Sequence, residues 1–132
     1  MSDIRKHIQS LGLLVIFVAL AFGSSDSRTA EQMAQDQEQK AQRQCEDKIT
    51  AFVMSQEFVK KQLKAPASAD FPRFTNEDVR VNYLGECTHD VVAYVDAQNS
   101  FGAKIRSNYH VKLQNQRGTD TWTAIEVQIV GR

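Results

Sequence analysis

Residues 103–113 read AKIRSNYHVKL, and this stretch decides the fold. Ala103, Ile105, Tyr109, Val111 and Leu113 fall on one side, and Lys104, Arg106, Asn108, His110 and Lys112 on the other. Successive side chains of a strand point to opposite faces, so this alternation is the signature of a half-buried β-strand. The same period extends outward. Upstream, Val91, Ala93 and Val95 alternate with Val92, Tyr94 and Asp96, and before them Val79, Val81 and Tyr83 alternate with Arg80, Asn82 and Leu84. Downstream, Ile125, Val127 and Ile129 alternate with Trp122, Ala124, Glu126 and Gln128. The connections are short: Gly85-Glu86, the loop 97–102 and the turn 115–118. Short connections favour an antiparallel meander of four strands.

One face of that sheet carries an apolar stripe and needs cover. Cys45, Ile49, Phe52, Gln56, Val59 and Leu63 recur at helical spacing, with Val53 and Met54 widening the row. This predicts one core-facing helix over 45–64. It stops before Pro66, which disfavours helix at Ala65. Lys60, Lys61 and Lys64 crowd its last turns, where the helix dipole favours cations. The expected fold class is therefore α+β: one long N-terminal helix packed on a four-stranded antiparallel β-meander.

The chain opens with Arg5, Lys6 and His7, followed by LGLLVIFVALAFG over 11–23. A basic start and an apolar run are the marks of a secretory signal peptide. The uncharged stretch 8–25 is also long enough to serve as a signal anchor and attach the protein to a membrane. Either way, Arg5 and Lys6 hold the N-terminus in the cytoplasm and everything after Gly23 is exported. The expected location is periplasmic or otherwise extracytoplasmic, membrane-anchored or secreted after cleavage. The expected division is a leader over 1–23, a polar Gln-rich helical connector over 24–44 and an α+β domain over 45–132.

The 132 residues hold 16 Lys plus Arg against 16 Asp plus Glu, a formal net charge of zero. That excludes a strongly basic nucleic-acid binder and a polyanionic tail. There are two cysteines, Cys45 on the helix stripe and Cys87 at a strand start. In an exported chain they read most simply as one disulfide, with a buried free pair or a redox couple as alternatives. The bridge would close a loop of about 43 residues and stabilise by about 4 kcal/mol.

Chemistry finds little purchase. No G-x-S-x-G, H-E-x-x-H, Walker or Gly-rich dinucleotide motif occurs. His89 and His110 read as surface residues, no third metal ligand can be placed beside them, and no cofactor is implied. A non-enzymatic protein is expected. The face opposite the apolar stripe would carry Tyr94, Arg106, Asn108, His110, Lys112, Trp122 and Glu126. Aromatics among arginine and lysine on a flat sheet resemble a protein interface. An ordinary solvated face is the plain alternative. The loop 98–102 could add Phe101 as a presented side chain, or be a structural corner. The expected partner is an envelope or extracellular protein, and no nucleic acid. The alternatives are a structural or host-surface-modifying membrane-anchored protein and, behind it, a small periplasmic enzyme.

Two segments resemble a known family. FVKKQLKAPASADFP over 58–72 is similar to an "FVKxxLKxPxxAxFP" segment, and VDAQNSFGAKIR over 95–106 to a "VDxQNxFGAxxR" turn and strand. Both belong to small exported or membrane-attached bacterial and phage proteins without an assigned activity. The resemblance implies a bacterial or phage source and no catalytic residues. Physically, Phe71 and Phe74 around Pro72 should cap one end of the core. Asn99 and Gly102 suit left-handed torsions in a tight loop. Arg106 should pair with Asp96 across the hairpin.

Overall fold

The computed structural model describes residues 28–131. The leader over 1–23 and the attachment segment 8–25 lie outside the described residues. Helix α1 spans Ala30–Cys45 and α2 Lys48–Lys60; a 3-10 turn covers Pro66–Ser68. Four strands follow, β1 Arg80–Gly85, β2 Thr88–Gln98, β3 Lys104–Asn115 and β4 Trp122–Gly131. They form one antiparallel sheet in the order β1-β2-β3-β4, an α+β meander. No helix among the described residues is long and apolar enough to cross a membrane.

Helix α1 starts where Thr29 and Gln32 cap each other. Gln32 N–H donates to Thr29 Oγ1 at 3.3 Å, and Thr29 N–H donates to Gln32 Oε1 at 3.0 Å. Each side chain thus satisfies a backbone donor that the first turn leaves open. The second of two compact units of the chain begins at Ala34, inside this helix. Arg117, in the β3–β4 turn, pairs with Glu38 and donates to Gln42 Oε1 at 2.8 Å. The described end of the polar connector is therefore fastened to the sheet's hairpin.

The helix expected over 45–64 is not one continuous element. It breaks at Glu46-Asp47, because Asp47 acts as an N-cap. Its carboxylate accepts from Ile49 N–H at 2.9 Å, Thr50 N–H at 3.1 Å and Thr50 Oγ1 at 2.7 Å. Those bonds offer the backbone a helix start in place of continuation. The restart rotates the buried stripe. Ala51, Phe52, Ser55 and Val59 face the sheet, whereas Ile49 and Val53, expected inside, are exposed. Ser55 is accommodated there by donating to Phe52 O at 2.6 Å, with Tyr109 Oη 3.5 Å away. The helix ends at Lys60, one turn early, and Leu63 packs on the core from the following turn.

Under α2 the sheet presents Val91, Ala93, Val95, Ala97, Tyr109, Val111 and Leu113. Each such residue taken fully out of water contributes on the order of 1.5–3 kcal/mol when large. Phe74 stacks obliquely on Phe52 (5.9 Å) and Phe71 meets Tyr109 edge-on (6.0 Å), closing one end of the core as expected. Cys45 and Cys87 form a disulfide between the end of α1 and the β1–β2 turn, with Cα atoms 4.4 Å apart. That turn runs through left-handed torsions at Gly85, Glu86 and Cys87 in succession.

Strand β4 departs from strict alternation. Lys112 pairs with Glu126 but Leu113 with Ala124, so Ile125 is an extra residue, a β-bulge. Beyond it every side chain changes face. Ala124 and Trp122 join Val127 and Ile129 on the core side, and Ile125 is left exposed.

Candidate functional site

No described element packs on the face opposite α2, and this face is built in rows across the strands. Asn82, Asp90, Lys112 and Glu126 lie side by side; next come Arg80, Val92, His110 and Gln128, then Tyr94, Asn108 and Val130, then Asp96 and Arg106. Cations and carboxylates alternate across these rows. Arg80, Arg106 and Lys112 are balanced by Asp90, Asp96 and Glu126, so the face has no net sign.

The best-ordered group is centred on Arg106. Its Nε donates to Asp96 Oδ1 and its Nη2 to Asp96 Oδ2, each at 2.8 Å, a bidentate pair. The same guanidinium lies 3.8 Å from the centroid of the Tyr94 ring. Asn76 Nδ2 reaches the Tyr94 hydroxyl at 3.5 Å. The hydrogen bonds from Arg106 hold the Asp96 carboxyl below the usual carboxylate range, against a smaller burial effect. The expected Asp96–Arg106 pair is thus present, and it fixes a flat cation over an aromatic ring. Two rows along from Arg106, His110 Nε2 pairs with Asp90 Oδ1. Its neighbours Val92, Gln128, Asn108 and Lys112 include no hydroxyl or thiol. The His–carboxylate pair therefore has no hydroxyl or thiol beside it within its own rows.

A recess of about 430 Å³ opens beside Arg106, lined by Asp78, Arg80, Val92, Ala93, Tyr94, Arg106 and Asn108. It exists because β1 is much shorter than β2. β1 starts at Arg80, opposite Val92, and the chain before it turns away: Val79 N–H donates to Asn76 O and Asp78 N–H to Asn76 Oδ1. The β2 rim beyond Val92 is left uncovered until Asp70 bridges Asp96.

Tyr94, Arg106, His110 and Lys112 are brought together on this face. Trp122 is not. The bulge at Ile125 turns its indole to the core side, where it packs 5.6 Å from the His89 ring. Phe101 stands at the tip of the β2–β3 loop, 94% exposed. Asn99 shapes that loop by accepting from Phe101 N–H at 2.9 Å and Ala103 N–H at 3.0 Å. Gly102 takes the left-handed torsion, with φ +79°; Asn99 does not.

His89, expected at the surface, is fully buried between Tyr83 and Trp122. Neither ring nitrogen has a hydrogen-bond partner among the described residues. Burial lowers its pKa; the Glu46 backbone and the Asp47 carboxylate pull it up without overcoming that effect. The recess residues Asp78 and Arg80 were not expected to take part. The alternation of β1 places Arg80 on the open face, but nothing in its spacing shows where β1 starts relative to β2.

Among the described residues, no group of three or more His, Cys, Asp or Glu side chains is gathered to hold a metal ion. No protein-family model, curated protein or solved structure matches the chain.

Proposed function

We propose that the protein is a non-enzymatic binding module that works outside the cytoplasmic membrane and captures a protein partner on the open sheet face. The observation that carries this reading is the Asp96–Arg106–Tyr94 array. An arginine held by two hydrogen bonds and a ring has little rotamer freedom left to lose when a partner docks. Arginine and tyrosine are also the side chains enriched at interfaces. The charge-balanced rows favour a partner surface of mixed sign over nucleic acid or an anionic membrane. The Cys45–Cys87 disulfide is consistent with an exported protein. The resemblance of 58–72 and 95–106 to small exported bacterial and phage proteins supports the same placement.

The test is chemical crosslinking of the full-length protein in its native envelope, for the wild type and for Arg106→Glu and Lys112→Glu. Both positions are on the solvent side of the sheet, so both variants should fold. A discrete adduct that weakens at least tenfold in either variant supports the module. Unchanged adducts in both variants would place recognition elsewhere and favour a role carried by the anchor and stalk.

A further inference from the structure

The β2 edge has a gap one residue long. In an antiparallel ladder the N–H and C=O of a residue point to the same side, and every second residue shares that side. Asp96 exchanges both backbone bonds with Asp70: Asp70 N–H donates to Asp96 O at 2.8 Å and Asp96 N–H to Asp70 O at 2.9 Å. Asp96 therefore directs its backbone groups away from β3, and so do Tyr94 and Val92. Val92 is covered by Arg80, the first residue of β1. Tyr94 lies between, and no backbone bond to its N–H or C=O is formed by the described residues outside the strands. β1 has ended and the Asp70 bridge has not yet begun.

This gap opens into the recess described above, and Arg80 stands at its rim. Arg80 forms no ion pair within 4.0 Å among the described residues, not even with Asp78 across the recess. A donor pair made of one backbone N–H and one unpaired guanidinium matches a carboxylate. The Tyr94 carbonyl beside it matches an N–H. One residue that carries both a free α-carboxylate and a backbone N–H is the last residue of a polypeptide. A strand passing through would collide with Arg80 at one end and Asp70 at the other, so the slot accepts a chain end.

We infer that the recess binds the C-terminal residue of a peptide by single-residue strand addition to Tyr94, with its carboxylate on Arg80. Backbone pairing to an exposed edge and capture of a terminal carboxylate are both established modes of peptide recognition. The inference rests on the open-face reading and names the part of the partner that the face would read.

The experiment is fluorescence anisotropy of full-length protein in detergent micelles with a pool of N-terminally labelled tetrapeptides of mixed sequence. The same pool is made as free acid and as C-terminal amide. Free acids should bind at least tenfold more tightly than amides. Arg80→Gln should lose that preference, and Arg80→Lys should keep part of it. Arg80 is solvent-exposed, so neither variant should disturb the fold, and an unchanged Cys45–Cys87 bridge on a non-reducing gel checks this. Equal binding of acid and amide pools, or no binding of either, overturns the inference. Either of those results alongside Arg106-dependent crosslinking would leave the open-face module standing, whereas loss of both would remove the module as well.

Discussion

His89 lies with its ring centroid 5.6 Å from that of Trp122, both on the helix-covered side of the sheet. Tyr83 closes the other side at 5.1 Å, so the imidazole is enclosed by aromatic rings, and the nearby Glu46 backbone and Asp47 carboxylate do not offset its burial. Such a site holds the neutral ring and penalises the imidazolium. The folded pKa is depressed below the ordinary value near 6.5. The unfolded chain therefore binds the extra proton first. Stability is full above about pH 6.5 and is lost as pH falls through that value toward the folded pKa, at up to about 1.4 kcal/mol per pH unit. Denaturant midpoints at pH 7.5, 6.0 and 5.0 should fall in that order. His89→Leu should flatten the slope in this window, and an unchanged slope in that variant would contradict the assignment.

A second, lower window belongs to Asp47. Burial alone would raise its pKa, but the hydrogen bonds from Thr50 and Ile49 together lower it below 3.8. This stability is present above about pH 3.8 and disappears as pH falls further. Asp47→Ala removes the cap at the helix restart and should cost about 1 kcal/mol near neutral pH, read from the same denaturant curves.

The bulge in β4 makes a prediction that separates face from composition. Trp122→Ala opens a hole beside His89 and should destabilise the domain by about 3 kcal/mol. Ile125→Ala touches an exposed side chain and should cost little, within about 0.5 kcal/mol. Deleting Ile125 removes the extra residue and leaves a regular ladder in which Ala124 still pairs with Leu113 and Trp122 with Asn115, so both keep the core side. That deletion should therefore cost less than Trp122→Ala. A deletion as damaging as Trp122→Ala would mean that the bulge itself, and not the register, seats Trp122 in the core.

Much of this architecture is legible in the sequence, and the misses share a physical cause. The four strands and the disulfide follow from period-two alternation and from two cysteines in a chain expected to be exported. So does the Asp96–Arg106 pair, because the hairpin register places the two residues opposite each other. Helix phase and the face of Trp122 do not follow, since each is reset by a single local event. Asp47 interrupts the helix by bonding its own neighbours, and Ile125 inserts one residue into a regular ladder. Strict counting carries straight across both. The recess depends on where β1 stops against β2, a matter of register between strands, which no periodicity within one strand contains.

The disulfide ties residues 42 apart, from the end of α1 to the β1–β2 turn. In the chain-entropy account a loop of this size contributes about 4 kcal/mol. Cys45→Ser/Cys87→Ser should lower the denaturant midpoint accordingly, and adding reductant to the wild type should reproduce the shift. Full stability in the double variant would show that α1 and the turn are held by other contacts.

The central claim is that the face opposite α2 is the recognition surface. It is tested most directly by placing a photo-crosslinking amino acid at single positions of the full-length protein in its native envelope. Val92 and His110 report the open face, and Val53 and Glu57 the outer side of α2. The account predicts a discrete adduct from Val92 and His110 and none from Val53 or Glu57. Adducts from the helix positions alone, or none from any position, would contradict it.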